Sequence, residues 1–257
     1  MKKRADNLNC DFKEKNKKAQ VTIIIIIAIV LIAVIILFFV FRTKILPTPE
    51  SKISEVKDIN RVLGNCIEQR AIDAIRISGL QGGYTSKPEK SVNVGNFKVA
   101  YGLYNNKNTL VSLSKIENEI SNFIELTLPF CINDQDFLQL TISQKTPKAK
   151  TKIKQGLVEI SANLPLSITK DDKTVTLDKD YEISIPIRLE KIHTTANNII
   201  QKHLDDPEFI DITYLTTLDF DVIFSEYDEI TLIYTITDKE SQLDEIPYSF
   251  MFVVEGK

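Results

Sequence analysis

Histidine is scarce in this chain: His193 and His203 are the only two in 257 residues. Ten positions apart, they fall about 80° out of phase on a helix and do not converge as metal ligands. Nucleophilic catalysis needs an imidazole beside a Ser, Thr or Cys and an orienting acid. Here His193 is followed by Thr194, and His203 by Leu204 and Asp205. There is no nucleophile elbow, zinc-protease pair or dinucleotide fingerprint. Gly82-Gly83 is not followed by Lys-Ser/Thr, so it is read as a turn at a helix end, not a phosphate loop. No Asn-x-Ser/Thr sequon, repeat period or low-complexity tract occurs. Carboxylate-only hydrolysis stays open, because two acids that meet in space can be far apart in sequence. The reading leans away from an enzyme and expects no metal and no cofactor.

What the chain does have is charge in blocks. Residues 1–20 carry seven Lys or Arg against three Asp or Glu, so a formal net charge of −3 leaves −7 on the remainder. From Asp205 onward fourteen acidic residues face only Lys239 and Lys257. Such a surface repels phosphates, and no nucleic acid is expected as a partner. With 43% hydrophobic residues the chain is globular, long enough for one large domain or two small ones beside a membrane segment.

Val21–Phe41 is a run of 21 residues in which Thr22 is the one polar member. As a helix it spans roughly 31 Å, close to the ~30 Å hydrocarbon core of a bilayer. It lacks the polar face that a soluble core helix keeps. A cleaved secretory signal is shorter and ends in small residues, whereas Arg42-Thr43-Lys44-Ile45 follows here. The run is therefore expected to be a transmembrane anchor with the lipid bilayer as its partner. Lys13, Lys15, Lys17 and Lys18, with Lys2, Lys3 and Arg4 behind them, outweigh Arg42, Lys44 and Lys52 on the other side. This bias puts the amino terminus in the cytoplasm and the carboxyl-terminal bulk outside the cell membrane. The expected layout is a basic tail (1–20), a transmembrane helix (21–41), a stalk (42–53) broken by Pro47-Thr48-Pro49, and an extracytoplasmic domain (54–257) with an optional division near 145.

Lys18-Ala19-Gln20, set directly against the apolar run, resembles the recognition site of the prepilin-type peptidases that process archaeal pilins and related surface proteins. The resemblance implies cleavage between Ala19 and Gln20 with the hydrophobic helix retained. Ile24 stands where many pilins carry an acidic residue. A wider resemblance, to uncharacterised anchored surface proteins of small-genome archaea, rests on Lys18-Ala19-Gln20-Val21-Thr22-Ile23, Cys66, Gln81-Gly82-Gly83-Tyr84, Tyr101-Gly102-Leu103-Tyr104, Ile116-Glu117 and Cys131. It implies location and brings no activity.

The expected topology leaves Cys10 inside and Cys66 and Cys131 outside, where disulfides persist. One bridge between them is the preferred reading, with two buried thiols as the alternative. The fold class expected is α+β: a mixed, mainly antiparallel sheet with about three helices. Val56, Ile59, Leu63, Ile67, Ala71 and Ala74 predict a first helix, closed by Gly79 in the left-handed conformation. Val92–Tyr101 reads as a strand and Asn105-Asn106-Lys107-Asn108 as a turn. Ser114 with Glu117 forms a capping box opening a second helix along Ile116, Ile120, Ile124 and Thr127, which Pro129 ends. Ile192, Ala196, Ile199, Ile200 and Leu204 predict a third helix. Alternation marks strands over Tyr181–Ile187, Ile230–Ile236 and Tyr248–Val254, with Pro186 arguing for an edge.

Two charge patterns are candidate contact sites. Lys148, Lys150, Lys152 and Lys154 alternate with Ala149, Thr151 and Ile153, placing four ammonium groups on one strand face. They read either as a patch for an anionic partner, including the acidic segment of a second copy or another envelope protein, or as lysine protection of a sheet edge. Asp219, Asp221, Glu226, Asp228 and Glu229 lack EF-hand spacing and read as a solvated acidic surface, with calcium as the competing use. The functional expectation is a single-pass membrane-anchored extracytoplasmic interaction or structural module. The alternatives are a pilin-like filament subunit and a membrane-tethered hydrolase or solute-binding receptor.

Overall fold

A computed structural model describes residues 29–32, 35, 50–132, 137, 139–207 and 209–256. Lys18, Ala19, Gln20, the ends Val21 and Phe41 of the apolar run, and the stalk prolines lie outside the described residues. The chain divides into two units, Met1–Glu55 and Val56–Lys257. In the first, Ile29, Val30, Leu31, Ile32 and Ile35 are helical with more than half of each residue uncovered. Among the described residues no helix is long and apolar enough to cross a membrane.

The second unit is α+β. Helix α1 (Glu50–Leu80) buries Ile59, Leu63, Ile67, Ala71 and Ala74, the stripe predicted by their three-to-four residue spacing. Full burial of each Ile or Leu contributes roughly 1.5–3 kcal/mol, an upper estimate because the unfolded chain is not fully extended. The helix ends differently from the sequence expectation. Gly83 N–H donates to Ser78 C=O (2.6 Å) and Gly82 N–H to Gly79 C=O (3.4 Å), the paired bonds of a Schellman motif. The left-handed residues are therefore Gly82 (φ +70°) and Gly83 (φ +96°). Gly79 stays helical, and its missing Cβ serves packing: a methyl there would sit 2.8 Å from the Tyr248 hydroxyl, with the Ser249 carbonyl closer still.

The larger sheet contains β1 (Ser91–Val94), β2 (Phe97–Tyr104), β3 (Lys107–Asn108), β10 (Asp221–Asp228), β11 (Thr231–Leu243) and β12 (Ile246–Glu255) in the order β1-β2-β12-β11-β10, with β3 on β2. Its pairs are antiparallel except β2 and β12, which run parallel through Tyr101 opposite Val253 and Leu103 opposite Val254. The single strand expected over Val92–Tyr101 is in fact a hairpin, reversed at Gly95, whose φ of +57° suits glycine. Where β2 is unpaired on its β12 side, Gln81 supplies the acceptors: Ala100 N–H reaches its backbone carbonyl (3.4 Å) and Lys98 N–H its side-chain Oε1 (3.2 Å). One face of the sheet puts Tyr234, Ile236, Tyr248, Phe250, Phe252 and Val254 into the main core, and the other carries a small cluster of Val92, Val99, Ile233 and Val253.

The remaining strands are β4 (Thr141–Gln144), β5 (Lys148–Lys154), β6 (Leu157–Asn163), β7 (Leu166–Lys170), β8 (Lys173–Leu177) and β9 (Tyr181–Ile185), pairing as β4-β7-β8 and β5-β6-β9. The two sheets are one bent antiparallel ribbon. From Ala162 opposite Tyr181 to Leu166 opposite Leu177 the register runs on unchanged. On the other side Gln144 is opposite Leu166 and Lys148 opposite Asn163, so the first strand carries one extra residue at the bend, beside Pro147. Helix α2 (Leu113–Thr127) continues as a 3-10 turn (Leu128–Cys131) containing Pro129, and α3 (Leu189–Asp205) and the short α4 (Ile212–Thr216) complete the unit. The N-cap of α2 is Ser112, whose side chain accepts from Lys115 N–H (3.3 Å), two residues earlier than the expected Ser114. Cys66 of α1 and Cys131 are joined by a disulfide with Cα atoms 5.7 Å apart.

Candidate interaction surface

The lysine strand is β5, and Lys148, Lys150, Lys152 and Lys154 all lie on its exposed face. Lys152 pairs with Glu117 (3.0 Å) and Lys154 with Glu159 (2.6 Å), while Lys148 and Lys150 have no ion pair among the described residues. The edge of β5 is closed by α2. Ala149 N–H donates to Glu125 Oε1 (2.8 Å), Thr151 N–H to Ser121 Oγ (3.0 Å) and Ile153 N–H to Glu117 Oε1 (2.9 Å). The match is geometric: four helical residues advance about 6 Å and two strand residues about 6.6 Å, so acceptors at every fourth helix position meet every second amide. Glu117, expected to cap its own helix, is used here instead. Backbone pairing of another chain at β5 is thereby excluded, and sealing this edge does not fall to lysine alone.

The other end of the larger sheet is open. Strand β10 is eight residues long, pairs among the described residues only with β11, and is exposed at every position except the half-buried Val222. Ile223 is 66% exposed, Phe224 38% and Tyr227 46%, with Ile230 at 49% beyond the strand and Phe209 (59%) and Ile212 (60%) in and beside α4. These are six of the eleven large apolar side chains exposed among the described residues of Val56–Lys257, so uncovered apolar surface concentrates around this edge. Asp219 and Asp221, read from sequence as an acidic surface, pair with Lys191 and Lys239. Glu226, Asp228 and Glu229 have no ion pair among the described residues, where no group of three or more metal-ligating side chains comes together either. Sequence reasoning missed β10 as an edge, because Val222, Ile223 and Phe224 are apolar in succession and no inside-outside alternation marks the strand.

Both histidines are tied into the core. His193 Nε2 lies 2.7 Å from the Val111 carbonyl and His203 Nε2 2.7 Å from the Tyr234 hydroxyl. Burial pushes both pKa values down, with backbone bonds to Val111 and Pro207 opposing it in part. His203 lines a small cleft shared with Tyr214, Lys202 and Asp211, whose carboxylate is bonded to Lys202 (2.9 Å). A wider groove runs past Gln155, Gly156, Arg188, Glu190, Lys191 and Thr194. Its two cations are engaged, Arg188 by Asp238 and Glu240 and Lys191 by Asp219. Neither cleft brings two carboxylates together among the described residues, which is the arrangement a carboxylate hydrolase needs.

No protein-family model matches the chain, and neither a curated protein nor a solved structure does. Function therefore rests on the geometry.

Proposed function

We propose that the chain is a single-pass membrane-anchored extracytoplasmic protein of the cell surface or envelope, and that its folded unit is an interaction or structural module. The observation that carries the reading is the 21-residue apolar run, of which Ile29, Val30, Leu31, Ile32 and Ile35 stand helical with their side chains uncovered. Water penalises such a surface and lipid does not. The basic flank supports the inside placement of the amino terminus, and a disulfide in the folded unit suits an oxidising compartment. The module reading is supported by clefts whose cations are already paired with carboxylates and by apolar surface concentrated on an open strand. The sequence resemblance to anchored surface proteins of small-genome archaea points the same way.

Protease added to intact cells tests the reading. Val56–Lys257 is expected to be digested while the amino-terminal residues survive, and the full chain to need detergent for extraction. Recovery of the full chain in the aqueous fraction, or an intact carboxyl-terminal unit after protease, refutes it. Amino-terminal sequencing of the extracted protein decides the pilin-like variant: a start at Gln20 supports processing after Lys18-Ala19, and an earlier start removes it.

A further inference from the structure

We propose that β10 is a docking edge for an extended cationic segment of a partner protein, which adds to the larger sheet as a further strand. This deepens the interaction-module reading and rests on it.

The edges in the molecule are unequal. The edge of β5 is closed by α2, β9 runs into Pro186, β8 opens with Lys173, and β1, β3 and β4 are four residues or shorter. Short length, lysine and proline are the devices that keep sheet edges from pairing. Strand β10 has none of them: it is eight residues long, contains no Lys, Arg or Pro, and its bulge falls only at its end, between Glu226 and Asp228. An incoming strand gains main-chain hydrogen bonds along this edge and sets alternate side chains against Ile223 on one face and Phe224 on the other.

The charge selects the occupant. Two-fold antiparallel pairing of β10 with a second copy places Asp221 opposite Asp228 of the other strand and doubles the uncompensated Glu226, Asp228 and Glu229 along one seam. Like charges in register oppose that pairing. A strand carrying Lys or Arg between β-branched residues answers the same carboxylates and the same apolar side chains together.

The test uses the full chain in phosphatidylcholine nanodiscs and a fluorescent ten-residue peptide alternating valine and lysine, titrated by anisotropy. Saturable binding is expected, at least tenfold tighter than for the peptide with glutamate in place of lysine and for the peptide with proline in place of valine. The double variant Ile223→Lys/Glu226→Lys changes only exposed positions, so its unfolding midpoint should stay unchanged while binding falls at least tenfold. Equal binding of the proline peptide reduces the effect to charge adsorption and overturns the proposal, as does equal binding by the double variant. Sedimentation showing a wild-type dimer that the double variant dissolves overturns it in favour of a second copy. Recovery of the chain without detergent, alongside intact peptide binding, would sink the anchor and leave the edge standing.

Discussion

Replacing Arg188 by Met should remove about 3–5 kcal/mol of stability, the range for stripping the partner from a buried ion. Asp238 is fully buried, and its carboxylate accepts from Arg188 through Nε (2.8 Å) and Nη2, from Ser241 Oγ (2.5 Å) and from Glu240 N–H (3.0 Å). The Arg188 amide in turn donates to Ser241 Oγ (3.1 Å), and its guanidinium lies 5.0 Å from the Phe220 ring. Arg188 stands where the ribbon passes into α3, and Asp238 where β11 bulges, so the pair fastens one sheet system to the other. Met keeps the length of the stem and deletes the charge, leaving a carboxylate in the core with two of its four donors. For a unit of this size the loss corresponds to a fall in Tm of roughly 6–20 °C. The chain has no tryptophan, so near-ultraviolet circular dichroism of the buried tyrosines is the suitable signal for urea unfolding.

The pH dependence makes the test sharper. Burial raises the Asp238 pKa, but Arg188 and Ser241 outweigh it and hold the group below the ordinary carboxylate value in the wild type. Its contribution is thus present above the ordinary value near 3.8 and fades as pH falls through the lower folded value. Without Arg188 the burial effect wins, the folded pKa lies above the unfolded one, and the variant gains relative stability as the acid protonates. The stability gap should therefore narrow steadily from pH 7 to pH 4. Comparing the gap cancels the shared loss from the two buried histidines below about pH 6.5. The double variant Arg188→Met/Asp238→Leu should recover most of the loss. A gap under about 1 kcal/mol, or one that does not change with pH, would refute the reasoning.

Three further outcomes are expected. Gly83→Ala should cost more than Gly95→Ala: both need positive φ, at roughly 1–2 kcal/mol for a non-glycine, but a Cβ at Gly83 also meets Ile116 Cγ1 at 2.9 Å and Val111 more closely, while Gly95 faces open space; equal losses by urea denaturation would count against the packing account. Glu119 is 4% exposed and accepts from Ser86 N–H (3.1 Å), Ser86 Oγ (2.8 Å), Thr85 N–H (3.2 Å) and Lys115 Nζ (2.9 Å), which overcome its burial and bring its pKa to about 2. Stability from this carboxylate is full above its ordinary value of 4.5 and is lost as pH falls toward 2, roughly 3 kcal/mol, and Glu119→Gln should flatten that part of the acid-unfolding curve. Cys66→Ser/Cys131→Ser should lower stability by about 4 kcal/mol for a bridge closing 65 residues, measured beside reduced wild type, which should behave the same.

Local patterns were readable and long-range pairings were not. The stripes Ile59-Leu63-Ile67, Ile116-Ile120-Ile124 and Ile192-Ala196-Ile199 recur at helical spacing, and all nine are buried, because burial repeats with the helix itself. The Asn105-Asn106 turn was readable for the same reason, both residues holding positive φ. Errors arose where a side chain serves a distant element. The spacing of Glu117 fits a capping box at its own helix terminus, yet it answers Ile153 N–H from another strand. Gly79 stands where the helical stripe predicts a left-handed cap, yet it is small to admit Tyr248 from the far end of the chain. The parallel meeting of β2 and β12 joins residues about 150 apart, and no local period encodes it. Strand β10 escaped notice because both its faces are exposed, so its apolar residues show no contrast with a buried side.

Within Val56–Lys257, the residues that carry the sequence resemblance do architectural work. Gln81 feeds acceptors to β2, Gly82 and Gly83 close α1, and Gly102 lets Ile200 of α3 approach to where a Cβ would lie 2.7 Å away. Ile116 fills the core, Glu117 seals β5, and Cys66 bonds Cys131. A likeness confined to such residues transmits a scaffold, since each position is dictated by backbone geometry or packing. None of these motifs includes a residue of β10 or a lysine of β5, although Ile223, Phe224 and Tyr227 are exposed and Lys148, Lys150, Glu226 and Asp228 have no ion pair among the described residues. On the docking proposal, exchanges at 223, 224, 226 and 227 should change peptide binding and leave these scaffold contacts intact.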